Sequence, residues 1–401
     1  MEGLLHGLAL VISLGCIFYS FYHLIERGIR SEPFPSKTVK LTKLEIKKVL
    51  LAVVGLHLVS LVLVFLYQYF TVKTGPLQLL LNFNRWDADH YTSIAREGYP
   101  TQGKMQVRIV FLPLYPLCIA LLSKLTFLKE EYAAILLNVL FSGLFGLSFY
   151  RLVRLDYSEK VAFWAVVLFA VFPPQIVQIT PYTEPLYLFF AVEAFYWART
   201  DHWGRSGVAA FFAALARTNG YFLFPALAIE FFRRRKWDMK GFWLAAAPFA
   251  FLIYLFINQR LYGDPFKFTY FQRVNWYKEF KPFWKGLSDV FHVYGITDWH
   301  SFLTGRLAEA AACFFGSVLL VAVARRARVS YGVYSLFSLL FFLSTSWILS
   351  TPRYVSSIFP FALILAPTLE RIGILRWVIL GIFFAWFTYF LHAFNIGMWV
   401  F

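Results

Sequence analysis

Long apolar runs, separated by short stretches rich in Lys and Arg, dominate the chain. A helix needs roughly 20 apolar residues to cross a bilayer's hydrocarbon core. Runs of about that size occupy 4–24, 49–71, 133–152, 161–177, 184–199, 242–260, 307–324, 332–350, 355–369 and 377–394. Each is predicted to be a membrane-spanning helix. Two further stretches are irregular: 111–127 carries Pro113, Pro116 and Lys124, and 207–232 is interrupted by Arg217, Asn219, Gly220 and Pro225. The first run follows Glu2 rather than a basic cluster and ends without a small-residue cleavage site, which predicts an anchor rather than a cleaved signal peptide.

Basic clusters supply a test of parity. Seven Lys or Arg lie between Arg27 and Lys48. Others are Arg151 with Arg154, Arg199 with Arg205, Arg233 to Lys236, Arg325 to Arg328, and Arg371 with Arg376. Lys and Arg favour the cytoplasmic side. All six clusters share that side only if 111–127 does not cross and 207–232 goes in and comes back. The first is then expected along the outer interface, and the second as two half-helices broken near Thr218–Gly220. The alternative is two plain spans with the rule broken at two or three loops. In the first arrangement, 73–132 and 261–305 become the outer loops.

Composition sharpens this. The chain is 59% hydrophobic and 15% charged, against about 45–50% and about 25% in soluble domains. Aromatics make up 21%, and Trp and Tyr gather at membrane interfaces. A soluble enzyme, a nucleic-acid-binding domain and a disordered tail are excluded. The net charge of +16 is read as cytoplasmic loops. Cys16, Cys118 and Cys313 lie in apolar runs with neither metal nor disulfide spacing, and His6, His57 and His392 read as packed side chains. With no repeat or second domain visible, residues 1–401 form one transmembrane domain.

The densest polar stretch runs from Asn82 through Arg85, Trp86, Asp87, Asp89, His90 and Tyr91 to Tyr99. It reads either as an active site, with a carboxylate base and cations for an anionic leaving group, or as a solvated loop. Glu184 starts a helix, where a carboxylate suits the dipole; alternatively Tyr182 and Glu184 form the rim of a cavity shared with Asp87. Arg217, beside Asn219 in an apolar segment, is costly at membrane depth. It either binds a lipid phosphate or pairs with a carboxylate. Arg353, beside Tyr354, either holds a phosphate through bidentate bonds or snorkels to the interface. Trp276, Tyr277, Trp284, Trp299 and His300 offer aromatic platforms for sugars and isoprenoids, or an interfacial anchor.

Five of these pieces, in order, resemble the PIG-V-like mannosyltransferases. They are Arg85-Trp86-Asp87-Ala88-Asp89-His90-Tyr91 with Ile94-Ala95 and Gly98-Tyr99; Phe111-Leu112-Pro113-Leu114-Tyr115-Pro116; Tyr182-Thr183-Glu184-Pro185-Leu186; Ala216-Arg217-Thr218-Asn219-Gly220; and Pro352-Arg353-Tyr354 with Pro360 downstream. The resemblance covers about 80–365, and Leu112 departs slightly from the family's Phe-Phe.

It implies an all-α polytopic GT-C fold of about 10–12 transmembrane helices, with interfacial helices in a long first outer loop that holds the active site. It implies a mannosyltransferase in a prokaryotic plasma membrane or the endoplasmic reticulum, with its site on the outer or lumenal face. A polyprenyl- or dolichyl-phosphate-linked donor, usually of mannose, would pass its sugar to a glycolipid, glycan or protein, with inversion. Asp87 is the better base, since Asp89 falls where the family varies. Arg217 and Arg353, with Tyr354, are candidates for the donor phosphate, assisted by His90 or Arg85. Trp86, Tyr91, Tyr115, Tyr182, Glu184, Asn219 and Trp276 are expected around the substrate cavity. No cofactor is required, although Asp87 and Asp89 are positioned in sequence to share a divalent ion. Transport is the competing class, but a transporter would concentrate polar groups at mid-membrane in matching halves. A non-catalytic lipid-binding subunit is the third reading, and it predicts that Asp87 is dispensable.

Overall fold

The computed structural model describes residues 2–28, 37–233, 238–291 and 302–400. Expectations resting on Arg30, Arg234, Arg235, Lys236, Trp299 and His300 lie outside the described residues. The described chain is all-α, apart from one isolated bridge between Phe280 and Thr345. In order, its helices are α1 (Glu2–Gly28), α2 (Lys43–Val72), α3 (Pro76–Leu81), α4 (Asp87–Glu97), α5 (Leu114–Thr126), α6 (Glu130–Val153), α7 (Glu159–Val171), α8 (Glu184–Arg199), α9 (Trp203–Ala216), α10 (Leu223–Phe232), α11 (Ala246–Tyr262), α12 (Lys267–Trp276), α13 (Phe283–Phe291), α14 (Leu307–Arg326), α15 (Val329–Leu343), α16 (Thr351–Ser356), α17 (Pro360–Arg371) and α18 (Leu375–Asn395).

Local chemistry sets many boundaries. Thr42 and Glu45 cap α2 reciprocally, and Ser158 caps α7 by accepting from the Val161 N–H. Pro185, Pro352 and Pro360 sit in the first turns of α8, α16 and α17, where a missing N–H costs nothing.

Six helical stretches are long and apolar enough to cross a membrane, by length and composition: His6–Gly28, Lys43–Val72, Glu130–Val153, Met239–Tyr262, Thr304–Arg326 and Leu375–Asn395. Helices α7, α8, α15 and α17 are shorter and bury most of their side chains. In α8 nearly every side chain is buried, and at 16 residues it reaches about 24 Å. Large apolar side chains of α1, α2, α11 and α18, such as Phe18, Phe70, Phe256 and Trp377, are exposed. A membrane protein turns such groups toward lipid. The chain is a multi-pass membrane protein.

The basic clusters converge on one face. Arg27 donates to the carbonyls of Ala324 (2.6 Å) and Ala327 (2.8 Å), and Arg233 donates to the Arg27 carbonyl at 2.8 Å. Arg154 pairs with Glu45 at 2.5 Å, Arg151 with Glu193, Arg199 with Asp156 at 2.5 Å, and Arg328 with Glu230 at 3.0 Å. The start of α18 joins them through Trp377, whose ring lies 5.1 Å from that of Trp164 in α7.

The two irregular stretches account for this parity. Helices α9 and α10 form a hairpin: the Trp203 ring at the start of α9 lies 4.9 Å from the Phe231 ring at the end of α10. The chain breaks at extended Arg217 and passes through a 3-10 turn, Thr218–Phe222. Gly220 permits the return, because a Cβ there would stand 2.5 Å from the Ala213 backbone. The other stretch differs from the expectation of an element along the interface. The 3-10 segment Lys104–Val110 and α5 are bent at 104° to each other, the geometry of a broken or re-entrant segment rather than of one straight element. Tyr262 donates to the Pro100 carbonyl and Tyr254, two turns further in, to that of Ile109, both at 2.6 Å. Tyr115 at the start of α5 bonds Asn138 in α6 at 2.8 Å. Pro113 precedes the bend, and the buried Tyr115–Asn138 pair holds the inner end.

Three predicted spans end early or break. Residues 161–177 stop being α-helical at Phe172, ahead of Pro173 and Pro174. Residues 332–350 lose the helix after Leu343, where Ser344 and Ser346 bond to the loop at 279–281. Residues 355–369 divide at Ser357–Phe359, just before Pro360, as expected where a residue precedes proline.

Candidate active site

The face opposite the basic clusters gathers four charged side chains from four separate elements. Asp87 is the first residue of α4 and Glu184 the first of α8. Arg217 stands at the α9 break, and Arg353 lies in the first turn of α16. Glu184 is fully buried and one of its oxygens takes two guanidinium groups: Arg353 through Nε, and Arg217 through Nη1 at 2.6 Å. Arg217 Nη1 also donates to Thr183 Oγ1 at 2.9 Å. The second arm of Arg353, Nη1, donates to Asp87 Oδ2 at 3.0 Å. The Asp87 side chain is 30% exposed, against 5% for Arg353 and 10% for Arg217. Asp87 is thus the accessible end of a buried ionic chain.

Each member is held by its surroundings. Trp86, directly before Asp87, has φ +51°, a conformation that costs a non-glycine residue about 1–3 kcal/mol. Its ring is fixed against Phe394 (4.7 Å) and Trp399 (5.4 Å). The turn before Glu184 is anchored by Asn138, whose amide donates to the carbonyls of Thr180 and Tyr182, the latter at 3.1 Å. Helix α16 starts from Ser350 in the left-handed region at φ +66°. Buried Glu309 of α14 accepts from the N–H groups of Ser350 (2.5 Å) and Thr351 (2.8 Å). Arg353 lies over the Tyr182 ring at 4.3 Å. Asn138 and Glu309 were not singled out from sequence. The available signal was a carboxylate and an amide inside otherwise apolar helices.

The remaining sequence candidates divide. His90 lies one turn after Asp87, stacked on Phe111 at 4.8 Å and 6.0 Å from Trp276. Its Nδ1 has no hydrogen-bond partner among the described residues. Burial draws its pKa below the ordinary value, against the opposing pull of Asp87 and Asp89. Tyr91 is buried edge-on between Phe111 (5.0 Å) and Tyr115 (5.1 Å); burial and the Asp87 charge push its phenol up. Tyr354 stacks on Phe342 at 4.9 Å, with the Arg217 and Arg353 guanidinium carbons 5.4 and 5.3 Å from its ring centre. Asn219 is buried, and neither of its side-chain polar atoms has a hydrogen-bond partner among the described residues.

Others have partners outside the ionic chain. Tyr115 is committed to Asn138 in the core. Arg85 donates to the Asn82 carbonyl at 2.8 Å and lies against Gly397. Asp89 is exposed and accepts from Asn84 at 3.4 Å. Residues two apart on a helix point to different sides of it, and Asp87 and Asp89 have different partners, Arg353 and Asn84. No group of three or more metal-ligating side chains occurs among the described residues.

Known proteins share parts of this chain. A 152-residue stretch is 31% identical to the GPI alpha-1,6-mannosyltransferase 2 of Rattus norvegicus, covering 35% of this chain and 30% of the relative. The Mus musculus and Cricetulus griseus proteins of that name are 30% identical over the same length. The match therefore spans less than a third of each relative. The oligosaccharyltransferase structure of Archaeoglobus fulgidus superposes with a TM-score of 0.42 and 12% identity, over 86% of this chain and 56% of that one. The family model for mannosyltransferases of the PIG-V type matches residues 63–283. That stretch is more than half of the chain and contains Asp87, Glu184 and Arg217, and the chain belongs to the PIG-V mannosyltransferase family.

Proposed function

We propose that the chain is a membrane mannosyltransferase of the GT-C type. It takes a mannosyl group from a polyprenyl- or dolichyl-phosphate donor and passes it to a hydroxyl of a glycolipid, glycan or protein. The observation that carries this reading is the buried chain Arg217–Glu184–Arg353 ending on half-exposed Asp87. It joins a carboxylate open to substrate with two guanidiniums, which is the equipment for proton removal beside an anionic leaving group.

In the proposed step the acceptor oxygen attacks the anomeric carbon. Its proton passes to an Asp87 oxygen, and the bond from the anomeric carbon to the phosphate oxygen breaks with its electrons remaining on the lipid phosphate. One displacement inverts the anomeric centre. Protonation of Asp87 leaves the two arginines opposite Glu184 alone, so positive charge rises as the phosphate charge develops. Guanidinium charge supplies the stabilisation, and no divalent ion is part of the proposal. His90, Phe111 and Trp276 supply an aromatic wall beside Asp87 of the kind that packs on a sugar ring. An apolar cavity of about 240 Å³ touches Pro352 and Ser356, which flank Arg353, and runs between α7, α14 and α17; its chemistry suits an isoprenoid tail.

The positive-inside rule assigns the basic face to the cytoplasm, which puts the site on the outer or lumenal face of a plasma or endoplasmic reticulum membrane. Charge concentrated at one face, rather than at mid-membrane in two matching halves, argues against a transporter. The test is transfer of label from polyprenyl-phosphate-mannose to a membrane lipid and protein extract, comparing wild type with Asp87→Asn at matched folding. The expected result is transfer by wild type and a loss on the order of 10²–10⁴-fold in the variant. Equal transfer by both removes Asp87 as the base.

A further inference from the structure

We infer that Lys278, in the second outer loop, binds the phosphate of the lipid-linked donor; the inference rests on the transferase reading above. It starts from the charges of the site. Arg217 and Arg353 are matched by Glu184 and Asp87, two positive against two negative, so the hydrogen-bonded network is neutral before reaction. A neutral, largely buried network attracts a phosphate weakly. A cation that is not tied up in a contact ion pair, within reach of the same space, would attract it more strongly.

Lys278 is such a cation. Its Nζ lies 5.7 Å from the Tyr354 ring centre, the ring that Arg217 and Arg353 also approach, at 5.4 and 5.3 Å. It is half-buried, and it forms no ion pair among the described residues. The carboxylate that attracts it, Glu309, has its two oxygens taken by the N–H groups of Ser350 and Thr351. The ammonium donors are therefore left for a ligand. Lys278 follows Trp276 by two residues, at the edge of the aromatic wall beside Asp87 and His90.

Its position is built rather than incidental. Helix α12 ends at Tyr277 in the left-handed region, φ +53°, and the Lys278 N–H closes back on the Gln272 carbonyl at 3.0 Å. The following residues are strapped to the loop after α15. Ser346 N–H donates to the Glu279 carbonyl at 2.8 Å, Ser346 Oγ to the Tyr277 carbonyl at 2.7 Å, and Lys281 N–H to the Ser344 carbonyl at 3.2 Å. The Glu279 N–H donates to Ser346 Oγ at 2.9 Å. Four bonds across two loops fix an ammonium group beside the two arginines.

The experiment measures donor and acceptor KM and kcat for the full-length protein, with wild type, Lys278→Gln, Lys278→Met and Lys278→Arg compared at matched thermal stability. Polyprenyl-phosphate-mannose is the donor, with polyprenyl phosphate and polyprenol as inhibitors. The neutral variants should raise donor KM about tenfold or more and weaken inhibition by polyprenyl phosphate by a similar factor. Acceptor KM and inhibition by polyprenol should stay within about twofold, and Lys278→Arg should recover most of the loss. Unchanged donor KM in both neutral variants, with wild type active, overturns the role of Lys278 alone. Equal rises in donor and acceptor KM overturn it too, because they indicate loop displacement. No transfer by wild type from this donor overturns the transferase reading, and the inference with it.

Discussion

Glu184 organises the site through a single oxygen. Its burial is tolerable because two guanidiniums share its charge, and they in turn depend on it. Breaking a buried pair by removing one partner costs about 3–5 kcal/mol. Glu184→Gln should therefore destabilise the protein by about that amount and abolish transfer, read as a lower melting midpoint in detergent together with the activity assay. Arg353→Lys tests geometry at constant charge. Arg353 reaches Glu184 through Nε and Asp87 through Nη1, and a lysine ammonium lacks that fork. A fall of about tenfold or more in kcat/KM is expected, and an unchanged value would mean that the bridge does not orient Asp87. His90 supplies a pH test. Burial lowers its pKa in the folded state, while the unfolded value stays at about 6.5. Between those values the unfolded chain binds more protons, so folded stability is complete above about 6.5 and falls as pH drops below it. Melting curves of His90→Gln should show a shallower loss on acidification than wild type, and parallel curves would remove His90 from the titrating set.

At the scale of elements, the functional side chains sit where regular structure stops. Asp87 and Glu184 open helices, Arg217 occupies the break of a hairpin, and Arg353 rides a single short helix between Ser350 and Ser357. The hairpin depends on Gly220, which packs on the backbone of Ala213 and Ala214. Gly220→Ala forces those strands of chain apart and should withdraw Arg217 from Glu184, costing activity before it costs folding; full activity in a Gly220→Ala protein would show that the turn is more compliant than its contacts imply. These facts also explain what could be read from the chain. The long spans were legible because lipid imposes one requirement on some 20 consecutive residues. The break at Arg217 was expected from the polar residues and glycine that interrupt an apolar run, whereas those at Pro173 and Pro360 fell inside predicted spans, because the apolar run continues through the prolines. Nor was the end of α15 at Leu343 expected, since it depends on Ser344 and Ser346 bonding a loop more than 60 residues away. Asp87, Glu184, Arg217 and Arg353 stood out because charge beside apolar runs needs a reason. Glu309, Asn138 and Lys278 did not, because their importance comes from partners brought in by the fold: two N–H groups, three carbonyls and a shared tyrosine ring.

For the whole molecule, the decisive property is sidedness. Arg27, Arg233 and the carbonyls of Ala324 and Ala327 meet at one face, while Arg96 meets Glu130 and Glu131 at the other, where the first outer loop joins α6. A lipid-linked donor can serve such an enzyme only if the site and the donor headgroup share a leaflet, so topology constrains chemistry. Single-cysteine labelling in sealed vesicles measures it, in a background where Cys16, Cys118 and Cys313 are replaced. Phe127, exposed at the end of α5, marks the site face, and Lys240, paired with Asp201 at 3.1 Å, marks the basic face. Phe127→Cys and Lys240→Cys should react with a membrane-impermeant maleimide from opposite sides, and Arg205→Cys should follow Lys240→Cys. That last agreement is the informative one. Arg205 and Lys240 are joined through the hairpin of α9 and α10, so a shared side means the segment carrying Arg217 enters and returns. Opposite sides would make it a true span, separate the basic clusters across the bilayer, and remove Arg217 from any site built on Asp87.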